Sequence, residues 1–255
     1  MNFSSNHQVS SNDNDSDIQP IISESKKIYT LVHPGATYLS LHFRYFSFPK
    51  NCSLTIRDRN NHVHEILTGD GRRLGEFWAF HVLDDTIFLE SDCSNKMNKF
   101  HIDGYAAGFA DMTNHRGGKT VQQPENTNRN LVICNKDEKR NAICWKEEFP
   151  EVYEKSRAVA KLLIQGTRVC TGWLVGPNNY LIANWHCIAN EEQALNTDYT
   201  FSYEAKRGSC QDGGIHDYVT PDNYDTFSAE SLVKVDFEKD YALIKLMGDP
   251  VRKYG

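Results

Sequence analysis

No stretch of about 18 or more consecutive apolar residues occurs in this 255-residue chain, which excludes a membrane-spanning helix. No block of Lys and Arg stands out against a net charge of −6, so the basic face of a nucleic-acid binder is missing. Neither a nucleic-acid nor a membrane partner is expected. Glycine (16) and proline (8) are ordinary in number, which excludes collagen-like and linker-like classes. No C-x2-C pair exists, and the cysteine spacings fit no common zinc site; no metal and no cofactor is expected. The first 26 residues, MNFSSNHQVSSNDNDSDIQPIISESK, lack the basic and apolar regions of a secretory signal.

What is present is a chain with 39% apolar and 24% charged residues, able to bury a real core in one or two domains. It has seven cysteines, an odd number and high for a cytosolic chain, which points to an oxidising compartment. The N-terminus carries no matching signal. Either the true start lies elsewhere than Met1, or the thiols are cytosolic and reduced. Residues 1–27 are Ser/Asn/Asp-rich and are expected to be disordered, because they bury too little apolar surface to offset chain entropy.

Residues 28–112 read as a β-sandwich. Leu39, Leu41, Phe43 and Tyr45 alternate with Ser40, His42 and Arg44, the period of a strand with one buried face. Leu54 and Ile56 repeat the pattern before the Asp58-Arg59-Asn60-Asn61 turn. Further strands are expected from Val63, over Phe77–Val82, and over Thr86–Glu90. Cys52 and Cys93 are the natural pair here. His62 and His64 lie on one strand face, but with no third ligand nearby a surface pair outweighs a metal site. The aromatic run at 77–80 reads as core rather than as a carbohydrate platform. Residues 113–130 lack an apolar period and read as a linker, in which Lys119 and Arg129 would be open to proteolysis.

The chemistry sits in residues 131–255. Leu162-Leu163-Ile164 reads as a buried strand and Gln165-Gly166-Thr167 as its turn. Residues 170–187 then give a strand, a Gly-Pro-Asn turn, a second strand and His186 at its end. Cys170 and Cys187 bracket this hairpin closely enough to form a disulfide, which would fix the imidazole for general-base work. Asp240 heads the apolar strand Tyr241–Leu246. A carboxylate there can hold a histidine tautomer and stabilise the imidazolium formed on proton transfer. The charged stretch 147–156 reads as a solvated face around a short helix.

The segments CTGWLVGP, LIANWHC and DYALIKL resemble the catalytic-histidine and catalytic-aspartate segments of trypsin-like serine peptidases. The order Cys134, Cys144, Arg157-Ala158-Val159, Cys170, His186-Cys187, Cys210 is similar to that of the lysyl-endopeptidase-like subgroup. Trp185 departs from the small residue or second histidine usual at that place. The resemblance implies His186 as general base, Asp240 as its orienting acid, disulfides Cys170–Cys187 and Cys144–Cys210, and a polypeptide substrate for the complete protein. It also implies that Cys134 pairs with a cysteine of a second half absent here. The segments PGATYLSLHF, GEFWAFHV and DDTIFLE resemble the CUB-like or pre-peptidase sandwiches found beside secreted peptidases. Together these imply an all-β fold, a β-sandwich followed by the first β-barrel of a two-barrel peptidase, and an extracellular location.

The nucleophile of that family lies in a G-D-S-G-G segment, and none occurs here. Ser209 precedes the aspartate strand, and Ser228 and Ser231 lie in a polar loop. The chain is therefore expected to be truncated before the nucleophile, oxyanion hole and specificity pocket, and inactive as it stands. The competing expectation is a non-catalytic binding or decoy protein with a degenerate peptidase half.

Overall fold

The structure, a computed structural model, describes residues 4–8, 18–23, 26–72, 75–92, 99–109, 141–204 and 224–255. Strands β1 (Ser4–Gln8), β4 (Ala36–Ser47), β7 (Phe77–Trp78) and β9 (Lys99–Phe109) form a four-stranded antiparallel sheet in the order β1-β9-β4-β7. Strands β2 (Ile18–Ser23), β3 (Lys26–Val32), β5 (Ser53–Arg57), β6 (Val63–Thr68) and β8 (Thr86–Ser91) form a five-stranded sheet in the order β2-β3-β8-β5-β6. Leu39, Leu41 and Phe43 from the first sheet pack with Leu54, Ile56, Ile87 and Leu89 from the second in one core cluster. Each such buried side chain contributes about 1.5–3 kcal/mol relative to exposure.

Three sequence expectations are corrected in this sandwich. Residues 4–8 and 18–23 are paired strands rather than disordered chain, β1 on β9 and β2 on β3. Adding a strand to a sheet edge satisfies backbone groups and needs no apolar composition, so the polar residues of β1 gave no signal. The alternation over β4 fails at its end: Tyr45 is 48% exposed and Phe46 only 3%. Register shifts against β9 at His42/Phe43 and Phe43/Tyr45 insert bulges that turn the later side chains to the other face. The expected strand over Phe77–Val82 is a ladder only at Phe77–Trp78, followed by an isolated bridge between Val82 and Leu39. Beyond Phe77 the backbone N–H groups of Trp78, Phe80 and His81 go to side chains: Asn196, Glu65 and Asp198.

The second region opens with a 3-10 turn (Ala142–Trp145) and α1 (Pro150–Ser156), where a short helix was expected. Strands β10 (Val159–Ile164), β11 (Arg168–Val175), β12 (Tyr180–Ala183), β13 (Thr197–Phe201), β14 (Asp225–Phe227), β15 (Ala229–Asp236) and β16 (Tyr241–Leu246) follow, with α2 (Glu191–Leu195) and α3 (Pro250–Tyr254). All pair antiparallel in the order β14-β13-β10-β11-β12-β16-β15. The two ends of that order, β14 and β15, are separated by Ser228 alone. One bent strand thus joins both edges, and the sheet closes into a barrel. Ala160, Leu162, Leu181, Tyr199, Phe201 and Ile244 fill it.

Sandwich and barrel meet through polar groups. All of β13 is buried, because the barrel covers one face and the sandwich the other. Tyr199 and Phe201 enter the barrel core, while Asp198 carries the sandwich contact. Its Oδ2 accepts from His81 N–H at 2.8 Å and lies 2.7 Å from His81 Nδ1; its Oδ1 lies 3.7 Å from Arg72 Nη1. Asn196 Oδ1 accepts from Trp78 N–H (2.9 Å), and Tyr38 donates its hydroxyl to Gly166 O (3.1 Å). Gly166, with φ +70°, is held tightly: a Cβ there would stand 2.6 Å from the Trp78 ring. The linker expected at 113–130 lies outside the described residues.

Candidate active site

His186 is held by the barrel rather than by its own strand. After β12, residues Asn184–Cys187 form a turn in which Cys187 N–H and Ile188 N–H donate to Asn184 O, both at 3.1 Å. The Cys170–Cys187 disulfide ties that turn to β11, and Arg168 donates to Cys187 O at 2.5 Å. Asp240 arrives from the other side, at the end of the turn between β15 and β16. It sits in left-handed backbone, φ 51°, costly for a residue with a side chain and tolerated where surrounding contacts fix it.

The two residues meet in a two-point contact. Asp240 Oδ2 lies 2.7 Å from His186 Nδ1, and Oδ1 accepts from His186 N–H at 2.9 Å. Asn184 Nδ2 donates to Asp240 Oδ2 (3.1 Å) and to Asp240 O (3.2 Å). The backbone N–H of His186, with its ring and Asn184 assisting, holds the Asp240 carboxyl below the ordinary carboxylate range. An ionised carboxylate only accepts, so Nδ1 carries the proton and Nε2 keeps its lone pair. The His186 side chain is 62% exposed and Asp240 42%, so Nε2 faces solvent. Trp185 and Phe237 stand beside the pair, edge to face with centroids 4.6 Å apart; Phe237 is 69% exposed.

Other expected site residues are placed as follows. Cys52 and Cys144 are disulfide-bonded, but Cys93, Cys134 and Cys210, and with them the proposed pairings, lie outside the described residues, as does Ser209. Ser228 closes the barrel and Ser231 pairs with Lys245 on β15. Among the described residues no hydroxyl or thiol is hydrogen-bonded to His186 Nε2. His62 and His64 are not simply a surface pair: both reach Asp58 Oδ2, at 3.2 and 3.3 Å, and burial lowers the His64 pKa. Sequence reading missed Asn184, whose signal was its position two residues before the histidine. It also missed His81 and Asp198, which lie in separate regions and share no local pattern.

Residues 133–254 match the family described as lysyl endopeptidase, C-terminal domain, which supports a relationship to peptidases over that region. The chain is also similar to "Secreted RxLR effector protein 73" of Plasmopara viticola, 28% identical over 239 residues. That alignment covers 89% of this chain but 56% of the relative, so the chain spans a little over half the length of the curated relative it matches.

Proposed function

We propose that this chain carries the histidine–aspartate part of a serine-endopeptidase active site, with the remainder supplied by sequence that follows it in the complete protein. His186 is the general base, taking a proton through Nε2 from a serine hydroxyl and returning it to the leaving amine. Asp240 orients the ring and stabilises the imidazolium, and Asn184 steadies Asp240. Cys170–Cys187 keeps the imidazole in place. The observation that carries this reading is the 2.7 Å Nδ1–Oδ2 contact with Nε2 left open to solvent. The exposed Phe237 ring, packed on the half-buried Trp185 beside the pair, supports a surface meant to be covered. Secretion belongs to the same reading, supported by the disulfide and by the name of the Plasmopara viticola relative.

The test is to express the chain together with the coding sequence that follows Gly255 and treat it with a fluorophosphonate probe. Labelling of one serine, lost in His186→Ala, is the expected result. A stop codon directly after Gly255, or no labelling and no cleavage of casein, would overturn it. The second reading, a secreted binding protein with a degenerate peptidase half, is favoured by the effector name of the relative.

A further inference from the structure

A cleft of about 970 Å³ opens between the sandwich and the barrel. Its size lies within the range of roughly 300–1,000 Å³ usual for small-ligand sites, which favour domain interfaces. One wall is the start of β4 with the Arg59 and Asp84-Asp85 turns; the other is the outer face of β10 and β11. Strand alternation sets what that outer face offers. Ala160 and Leu162 point into the barrel core, so Lys161 points out, beside Val169 and Thr171.

Among the described residues no carboxylate stands within ion-pair distance of Lys161, and Asp198 acts on it only from further off. Its Nζ lies 3.8 Å from the Tyr203 ring centroid and 6.0 Å from that of Tyr38. The carboxylates that line the cleft are occupied elsewhere: Asp84 and Asp85 by Arg59, and Glu204 by the Tyr153 hydroxyl at 2.7 Å. Asp198, on the neighbouring strand, is taken by His81 and Arg72. The other cations of the wall, Arg59 and Arg157, already have carboxylate partners. Burial pushes the Lys161 amine down to about 8. A half-buried cation with aromatic walls, whose nearest acting carboxylate, Asp198, is already bound to His81, is costly, and an incoming anion would relieve that cost.

We propose that this cleft binds an amphipathic carboxylate, its anionic head at Lys161 Nζ and its apolar body along Tyr38 and Val169. The carboxylate could belong to a free organic acid or to a peptide C-terminus; the chemistry of recognition is the same. This proposal does not depend on the peptidase reading, since it involves neither His186 nor Asp240.

The experiment is calorimetric titration of the full chain at pH 7 with three probes: 4-phenylbutyrate, N-acetyl-Gly-Phe, and the C-terminal amide of that dipeptide. Wild type, Lys161→Met and Lys161→Arg are compared, each checked for native folding by near-ultraviolet circular dichroism. At least one carboxylate is expected to bind, with the amide and the Met variant each weaker by roughly tenfold or more and the Arg variant retaining affinity. Binding of both carboxylates assigns free organic acids, and binding of the dipeptide alone assigns peptide C-termini. Affinity should fall as pH rises from 7 to 9.5, when the amine loses its proton. Absence of binding by both carboxylates, equal binding of the amide, or undiminished binding by Lys161→Met would overturn the proposal.

Discussion

Two of the molecule's histidine–aspartate pairs, His81–Asp198 and His186–Asp240, are built alike and placed in opposite surroundings. In each, the aspartate accepts from the histidine backbone N–H, at 2.8 Å for His81 and 2.9 Å for His186. In each, a carboxylate oxygen lies 2.7 Å from Nδ1. The His81 and Asp198 side chains are 0% and 5% exposed, and His81 Nε2 is a buried nitrogen without a partner among the described residues. The His186 ring and its Nε2 stand at the surface. Proton transfer to a substrate needs a reachable Nε2, which of these two only the exposed pair offers. The buried pair spends the same geometry on joining the sandwich to the barrel. Contact geometry alone therefore does not mark a catalytic dyad; a reachable second ring nitrogen is needed as well.

Substitutions at the two aspartates should separate these roles. In a preparation that passes the fluorophosphonate test, Asp240→Asn should lower kcat by about 10⁴-fold, the cost of losing the orienting acid in a triad. It should leave the urea midpoint almost where it was. Asp198→Ala should do the reverse, costing about 3–5 kcal/mol in urea unfolding, because a buried pair loses one partner and Arg72 loses its nearby charge. Equal stability losses from both variants would erase the distinction.

Lys161 extends the comparison to a half-buried cation without a direct ion-pair partner among the described residues. Its folded pKa, about 8 against an ordinary 10.5, means that the unfolded chain holds the proton more tightly. Stability should therefore rise with pH between those values. Lys161→Met should stabilise the protein by up to about 3 kcal/mol at pH 7, with the gain shrinking between pH 8 and 10.5. A pH-independent gain would place its cause in packing rather than charge. The smallest effect belongs to Asp240 in acid. Its depressed carboxyl adds stability that is present above about pH 4 and lost as pH falls. Melting curves from pH 6 to 2 should show wild type and Asp240→Asn converging at the acid end.

The sequence revealed what depends on local period and on short motifs. Leu162–Ile164, the 170–187 hairpin and the Asp240 strand stand where alternation and turn residues put them. His186 and Asp240 stood out because each lies in a recognisable segment. Contacts between distant segments left no such trace. Asp198 looks like an ordinary residue in a Thr-rich strand, and only the docked sandwich buries it. The bulges that turn Tyr45 outward depend on the register of β9, some 55 residues away, and the edge pairing of β1 depends on the same strand. Lys161 escaped notice because a lysine on an outward strand face is normally solvated; the cleft that buries it exists only once both regions are folded.

Closure of the barrel through Ser228 also bears on how the chain folds. The pairings that complete it, β10 with β13 and β12 with β16, join segments far apart in sequence, and chains rich in such contacts fold slowly. His186 and Asp240 sit at the ends of β12 and β16, so they come together only when that long-range pairing forms. The contact between His186 and Asp240 thus depends on that pairing. A nascent or misassembled copy would carry both residues and lack the contact between them.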